Sequence, residues 1–241
     1  MKQDPSTIIF GAHSICEILK NNRRRIERIF TTKQECKAFR QIKSILPAGR
    51  VPVSFVDRTF LAKLAGTTDN QGVVAQVAPF IFRKKMFDPA REQFLLLLDN
   101  IQDPRNLGAI LRSAYCTGVQ GVILSGRQTA PMTGTVHRSS AGLCERLEII
   151  CDTTSVEAAK KLVKSGYTLY AGALGGKNIQ DVSMQLPCVA VIGNEGDGIS
   201  PEIKRISICV MLPQIASDVS YNASVAAGLM LFLCATKHKI I

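Results

Sequence analysis

Two short, wholly apolar runs constrain this chain most: Phe94-Leu95-Leu96-Leu97-Leu98 and Cys188-Val189-Ala190-Val191-Ile192. A strand with one wet face alternates apolar and polar residues, whereas a strand apolar throughout must be covered on both faces. Each run leads into a polar turn and then a helical pattern, so this part of the chain reads as a mostly parallel sheet with helices on both sides. Strands are expected at 94–99, 120–125, 146–150, 167–172, 188–193 and 207–212, and helices at 106–117, 155–165, 200–205 and 222–236. In such sheets, sites form where loops leave the carboxyl ends of strands.

The first 80 residues have a different rhythm. Ile15, Ile18 and Leu19 space as one helix face, Ile26 to Thr31 reads as a strand, and Lys33 to Leu46 as an amphipathic helix ended by Pro47 and Gly49. Val53 to Val56 is strand-like, Asp57 is placed to cap a short helix through Leu64, and Gly72 to Val77 is a final strand. Residues 1–78 therefore form a small α/β domain and 94–241 a second domain. Residues 79–93, with two prolines and the cluster Arg83-Lys84-Lys85, are the expected linker.

Charge separates the same two parts. Of the net +11, residues 1–92 hold 17 Lys and Arg against 8 Asp and Glu, a net of +9; the remainder is nearly balanced at +2. A basic excess confined to one domain points to a polyanion, and the run Arg23-Arg24-Arg25 with Arg28 supplies the candidate contacts to it. No apolar stretch approaches the ~20 residues that span a bilayer. The opening Met1-Lys2-Gln3-Asp4-Pro5 lacks the basic-then-apolar design of a secretion signal, so a cytoplasmic protein is expected. The eight cysteines include no C-x-x-C pair and are expected as reduced thiols. His13, His137 and His238 stand far apart in sequence, without cysteine or carboxylate companions at ligand spacing, so no metal is expected.

Three turns carry more polar residues than a plain connection needs. The first runs from Asp99 through Asn106 to Arg112, with Asn106 at an expected helix start where its side chain would act as a cap. The second is Gly193-Asn194-Glu195-Gly196-Asp197-Gly198, whose glycines permit close backbone approach. Its spacing is neither the G-x-G-x-x-G of dinucleotide folds nor a phosphate-binding loop. The third is Leu212 through Ile215 and Ser217-Asp218 to Ser220-Tyr221-Asn222-Ala223-Ser224, which feeds a helix of small residues. Taken singly, each could be a cap, a tight bend or close packing.

Together, Asn106-x5-Arg112, Gly193-Asn194-Glu195-Gly196-x-Gly198 and Ser220-Tyr221-Asn222-x-Ser224-Val225-Ala226, with Ser139-Ser140-Ala141-Gly142 before Glu145, resemble the SpoU (TrmH-like) family of ribose 2′-O-methyltransferases in the SPOUT superfamily. The first domain also looks like that family's substrate-binding extension. The resemblance implies a trefoil knot in the C-terminal parallel-sheet domain, S-adenosylmethionine as methyl donor, and a homodimer with sites near the subunit interface. Members with this two-part layout usually methylate a guanosine of large-subunit ribosomal RNA. A tRNA substrate, or a non-catalytic RNA-binding role in assembly, are the alternatives.

By the same resemblance Arg112 is the central catalytic residue, with Asn106, Glu195, Ser220 and Asn222 around it. The cofactor would rest on Gly193, Asn194, Leu212, Ile215, Tyr221 and Asn222. Tyr221 and Asn194 depart from the family's commoner residues without removing a catalytic group. Methyl transfer to a ribose oxygen is an in-line displacement that builds alkoxide character. A guanidinium keeps its proton, so Arg112 suits charge donation to that oxygen better than general base catalysis. Glu195 is expected to hold Arg112 or another donor in place.

Overall fold

The structure, a computed structural model, describes residues 7–32, 36–126, 128–152, 154–216 and 219–241. The chain divides into two compact units. One comprises residues up to Ile81 together with Pro131–Arg146, the other Phe82–Ala130 with Leu147–Ile241.

The first unit holds β1 (Thr7–Phe10), α1 (Ala12–Asn21), β2 (Ile26–Thr31), α2 (Lys37–Lys43), β3 (Val53–Phe55), α3 (Arg58–Ala65) and β4 (Val73–Val77). The sheet order is β1-β4-β2-β3, with only β2 and β3 parallel. Successive strand side chains point to opposite faces. Val73, Ala75 and Val77 of β4 therefore pack with Ile15 and Ile18 of α1 and Phe39 and Ile42 of α2, while Val74 packs with Phe10 and with Leu61 of α3. Asp57 caps α3 as its position predicts, accepting from the Phe60 amide at 2.7 Å. Of the helix expected from Lys33 to Leu46, α2 forms the middle; residues 33–35 lie outside those described.

The excursion Pro131–Arg146 is not visible in the hydrophobic pattern. It forms α5 (Gly134–Ser139) and a 3-10 turn at Leu143–Arg146. A side chain at Gly134 would come within 2.6 Å of the Ile8 carbonyl and 2.7 Å of the Phe10 ring, so α5 can lie on β1 only with glycine there. The 3-10 turn also corrects the strand expected at 146–150, which begins instead at Ile149.

The second unit contains β5 (Phe94–Asp99), α4 (Pro104–Cys116), β6 (Gly121–Ser125), β7 (Ile149–Asp152), α6 (Ser155–Lys164), β8 (Thr168–Asn178), β9 (Cys188–Gly193), α7 (Pro201–Arg205), β10 (Ile208–Met211) and α8 (Ala223–Lys237). Its sheet runs β10-β8-β9-β5-β6-β7, parallel throughout. Leu95 and Leu97 pack with Ala158, Leu162 and Ile203 of α6 and α7, and Leu96 and Leu98 on the opposite face are equally buried. That two-sided cover is what the apolar run demanded. Phe87, in the stretch expected as a linker, is 3% exposed within this unit's core. Strand order reverses between β9 and β5, which sets the turns leaving their carboxyl ends side by side. Among the described residues no helix is long and apolar enough to cross a membrane.

Candidate active site

The turn after β5 enters α4 differently from the sequence expectation. Pro104 occupies the first helical position and Asp103 is the cap, its carboxylate accepting from the Arg105 amide at 2.7 Å. Proline has no N–H to satisfy and aspartate is a strong cap, so the helix begins before Asn106. Asn106 therefore lies within the first turn with its side chain free of capping. Its Nδ2 donates to Glu195 Oε1 at 2.5 Å, and its Oδ1 accepts from Asn222 Nδ2 at 3.3 Å. Asn222 in turn caps α8, its Oδ1 accepting from the Ser224 amide at 2.9 Å and hydroxyl at 2.6 Å. The partner expected for Glu195 is thus Asn106. All three polar turns meet at one side-chain amide.

Glu195 is presented by a closed turn. Asn194 and Gly198 exchange backbone hydrogen bonds of 3.2 and 3.1 Å, and Asn194 Oδ1 accepts from the amides of Gly196 and Asp197 at 2.6 and 3.2 Å. A Cβ at Gly193 would stand 2.3 Å from the Gly198 carbonyl carbon, so the close approach itself requires glycine. Beside the turn lies a cavity of about 320 Å³, bounded by the middle of β8, the exits of β9 and β10 and the first turns of α8. Ile192, Leu212 and Met230 give it an apolar wall and the 193–198 backbone a polar edge, with Glu195, Asp197 and Lys204 also on its lining. Such a wall suits a flat apolar ring joined to a group carrying both positive and negative charge.

The residues expected at the cofactor divide. Gly193, Asn194, Leu212 and Tyr221 line the cavity, as does Ser220. Asn222 does not, being engaged with Asn106, and Ile215 projects fully into solvent from the neighbouring loop. Ser217 and Asp218 lie outside the described residues. Arg112 is exposed two turns along α4 and has no hydrogen-bond or ion-pair partner among the described residues.

Of the four candidate RNA-binding arginines, Arg23, Arg25 and Arg28 are exposed, but Arg24 is turned inward. Its side chain is 1% exposed, with Nη2 2.8 Å from Glu145 Oε1 and 3.0 Å from His137 Nε2, and Nη1 donating to the Ala78 carbonyl at 2.9 Å. Arg24 therefore belongs to a buried network, because the 131–146 excursion folds over it within the first unit. That network also corrects the reading of His137. Across H-x6-C-E spacing, ligand atoms of His137, Cys144 and Glu145 come within 4.8 Å of one another. The guanidinium of Arg24 already stands against two of these three side chains. Burial works against charging His137, but the adjoining Cys144 and Glu145 outweigh it and push the imidazole pKa up to about 10. Burial likewise opposes the Glu145 carboxylate, yet His137 and Arg24 hold its pKa below the ordinary value.

One unit is a parallel α/β domain with a glycine-walled cavity, and the other is a basic α/β unit. The comparisons fix the family: the SpoU rRNA Methylase profile matches residues 93–232, and the profile for RNA 2'-O ribose methyltransferase substrate binding matches 8–82. The chain belongs to the SpoU methyltransferase family. It is 31% identical over 242 residues to an uncharacterized tRNA/rRNA methyltransferase of Synechocystis, covering 95% of this chain but 62% of that protein. It is 30% identical over 233 residues to the 23S rRNA (guanosine-2'-O-)-methyltransferase RlmB of Pseudomonas aeruginosa, covering 93% and 94% of the two chains. The SpoU methyltransferase AviRb of Streptomyces viridochromogenes, solved in complex with AdoMet, shares the fold with a TM-score of 0.82 at 20% identity, over 98% and 91% of the chains.

Proposed function

We propose that the chain transfers the methyl group of S-adenosylmethionine to a ribose 2′-hydroxyl, that of a guanosine in large-subunit ribosomal RNA. The observation that carries this reading is the convergence of Asn106, Glu195 and Asn222 beside the glycine-walled cavity. The likeness to RlmB over nearly the whole of both chains supports the ribosomal guanosine. Residues 8–82, the span of the substrate-binding profile, hold 12 Lys and Arg against 5 Asp and Glu, and this net +7 supports RNA capture there.

The donor fits the residues present. Its adenine matches the apolar wall at Ile192, Leu212 and Met230, its positive groups the carboxylates of Glu195 and Asp197, and its carboxylate Lys204. When bound it supplies an electrophilic methyl. The chain's own part is orientation. Glu195 fixes the Asn106 amide, Asn222 braces its other side, and Arg112 offers positive charge to the ribose oxygen as its proton passes to an RNA phosphate. The trefoil knot expected from the family belongs to this reading, as does a cytoplasmic place of action.

So does a homodimer. Val225, Leu229 and Phe232 recur at helical spacing on α8 and are 48%, 41% and 56% exposed, forming an apolar stripe suited to a second copy. The deciding experiment maps 2′-O-methyl groups across ribosomal and transfer RNA from cells with and without the gene, then restores the lost site in vitro with purified protein and S-adenosylmethionine. Loss of a single ribosomal guanosine methyl is expected. Loss confined to transfer RNA, or no loss, would overturn the assignment.

A further inference from the structure

We infer that Asp99 is a positioning residue for the reaction, the anchor that holds the Glu195 turn against Asn106; this rests on the methyltransferase reading above. Asp99 ends β5 and is fully buried. A carboxylate taken out of water needs its oxygens satisfied. Oδ1 accepts from the Ser155 hydroxyl at 2.5 Å, and Oδ2 accepts from both the amide and the hydroxyl of Ser200 at 2.7 Å. Ser155 starts α6, whereas Ser200 closes the segment that carries Glu195.

The next residue holds the other end of that segment. Asn100 sits in the left-handed region at φ 62°, an arrangement asparagine tolerates, and its carbonyl accepts from Asn194 Nδ2 at 3.3 Å. Its own Oδ1 accepts from the Ser125 hydroxyl at 2.8 Å, at the end of β6. Two adjacent residues thus pin residue 194 and residue 200, between which Glu195 reaches Asn106. The same dipeptide leads into the turn bearing Asn106, so both partners of the 2.5 Å contact are referred to one point at the end of β5.

The two serines separate positioning from mere stability. Each gives one hydroxyl bond to the same carboxylate, but only Ser200 belongs to the turn. In the full-length protein, Ser200→Ala is expected to lower kcat about tenfold with an unchanged KM for RNA. Ser155→Ala should change kcat less than about twofold. Asp99→Asn should stay close to wild type: its amide oxygen can face Ser200, and its NH2 can donate to Ser155, whose hydroxyl turns to accept. Asp99→Ala should lose about 100-fold. If that variant fails to fold, the serine pair decides.

A readout independent of activity accompanies these rates. Amide hydrogen exchange at residues 194–200 should quicken about tenfold in Ser200→Ala and remain unchanged in Ser155→Ala. Equal effects of the two serine variants on exchange or on kcat would overturn the positioning role. An unmethylated RNA with wild-type protein would sink the functional reading instead, leaving the exchange comparison to judge the anchor.

Discussion

The side-chain amide of Asn106 donates to Glu195 across 89 residues of sequence, and the contact spans the place where the sheet's strand order reverses. Glu195 is exposed and lines the cavity and Asn106 is half-buried, so the bond orients groups at a surface rather than filling a core. Glu195→Gln keeps the shape and one acceptor oxygen but gives up the charge-assisted bond; Glu195→Ala removes the partner altogether. A hydrogen bond to a charged group contributes about 1.5–3 kcal/mol, equivalent to roughly 10- to 100-fold in rate. The alanine variant is therefore expected to fall by that factor in single-turnover methylation, with the glutamine variant between it and wild type. Because Glu195 is exposed, thermal melts should fall by only a few degrees. A large fall in Tm with unchanged turnover would assign Glu195 to stability.

Arg112 stands apart from that cluster, exposed and without a partner among the described residues. If it supplies charge to the ribose oxygen, Arg112→Ala should lower kcat by about 10²–10³. S-adenosylmethionine affinity, measured by calorimetry, should stay at the wild-type value because Arg112 does not line the cavity. Arg112→Lys should recover only part of the rate, since an ammonium replaces the planar fork. Near-normal turnover of the alanine variant would remove Arg112 from the mechanism.

Legibility followed local chemistry. The two-sided strands, the cap at Asp57 and the glycine turn all rest on short-range rules, and each stands where the sequence places it. The Asn106 cap was misplaced because Pro104 and Asp103 together make a stronger helix start three residues earlier. What the sequence could not yield was long-range. Glu145 and Arg24 are 121 residues apart, and nothing in the periodicity says that 131–146 folds into the first unit. Asp99 escaped notice for a related reason. A carboxylate ending an apolar strand was readable, but its serine partners lie 56 and 101 residues on.

The arginine run can be divided by experiment. Arg25 is 82% exposed on its side chain with a 4.0 Å contact to Glu27, and Arg28 is exposed and donates to the Ser54 hydroxyl. Replacing both by alanine should weaken RNA binding and reduce the slope of log K against log salt by roughly 1 to 2, about 0.7–0.9 per phosphate contact. Arg24→Gln should act through stability, costing about 1.5–3 kcal/mol for the lost bonds to Glu145 and the Ala78 carbonyl, while His137 still faces the Glu145 carboxylate. Filter-binding titrations across salt concentrations, alongside urea melts, separate the two effects. A flattened salt slope on mutating Arg24 in a protein of unchanged stability would reverse the assignment.

The same buried network makes the protein's stability depend on pH in a definite direction. His137 Nδ1 lies 2.8 Å from the Thr133 carbonyl, and its Nε2 lies 2.7 Å from Glu145 Oε1 and 3.0 Å from Arg24 Nη2; a protonated ring donates to both oxygens. The groups facing it are Arg24, Cys144 and Glu145, and the net result is a folded pKa of about 10 against an ordinary 6.5. A folded pKa above the unfolded one means that the contribution is complete below about 6.5 and is lost as pH climbs toward 10. Glu145 behaves oppositely: its lowered pKa contributes above the ordinary carboxylate range and loses that contribution as the solution becomes strongly acidic. Thermal melts of wild type should therefore fall between pH 6.5 and 9.5 more steeply than those of His137→Gln, which keeps polar atoms but cannot titrate. Parallel curves for the two proteins across that window would show that the imidazole is not charged in the folded state.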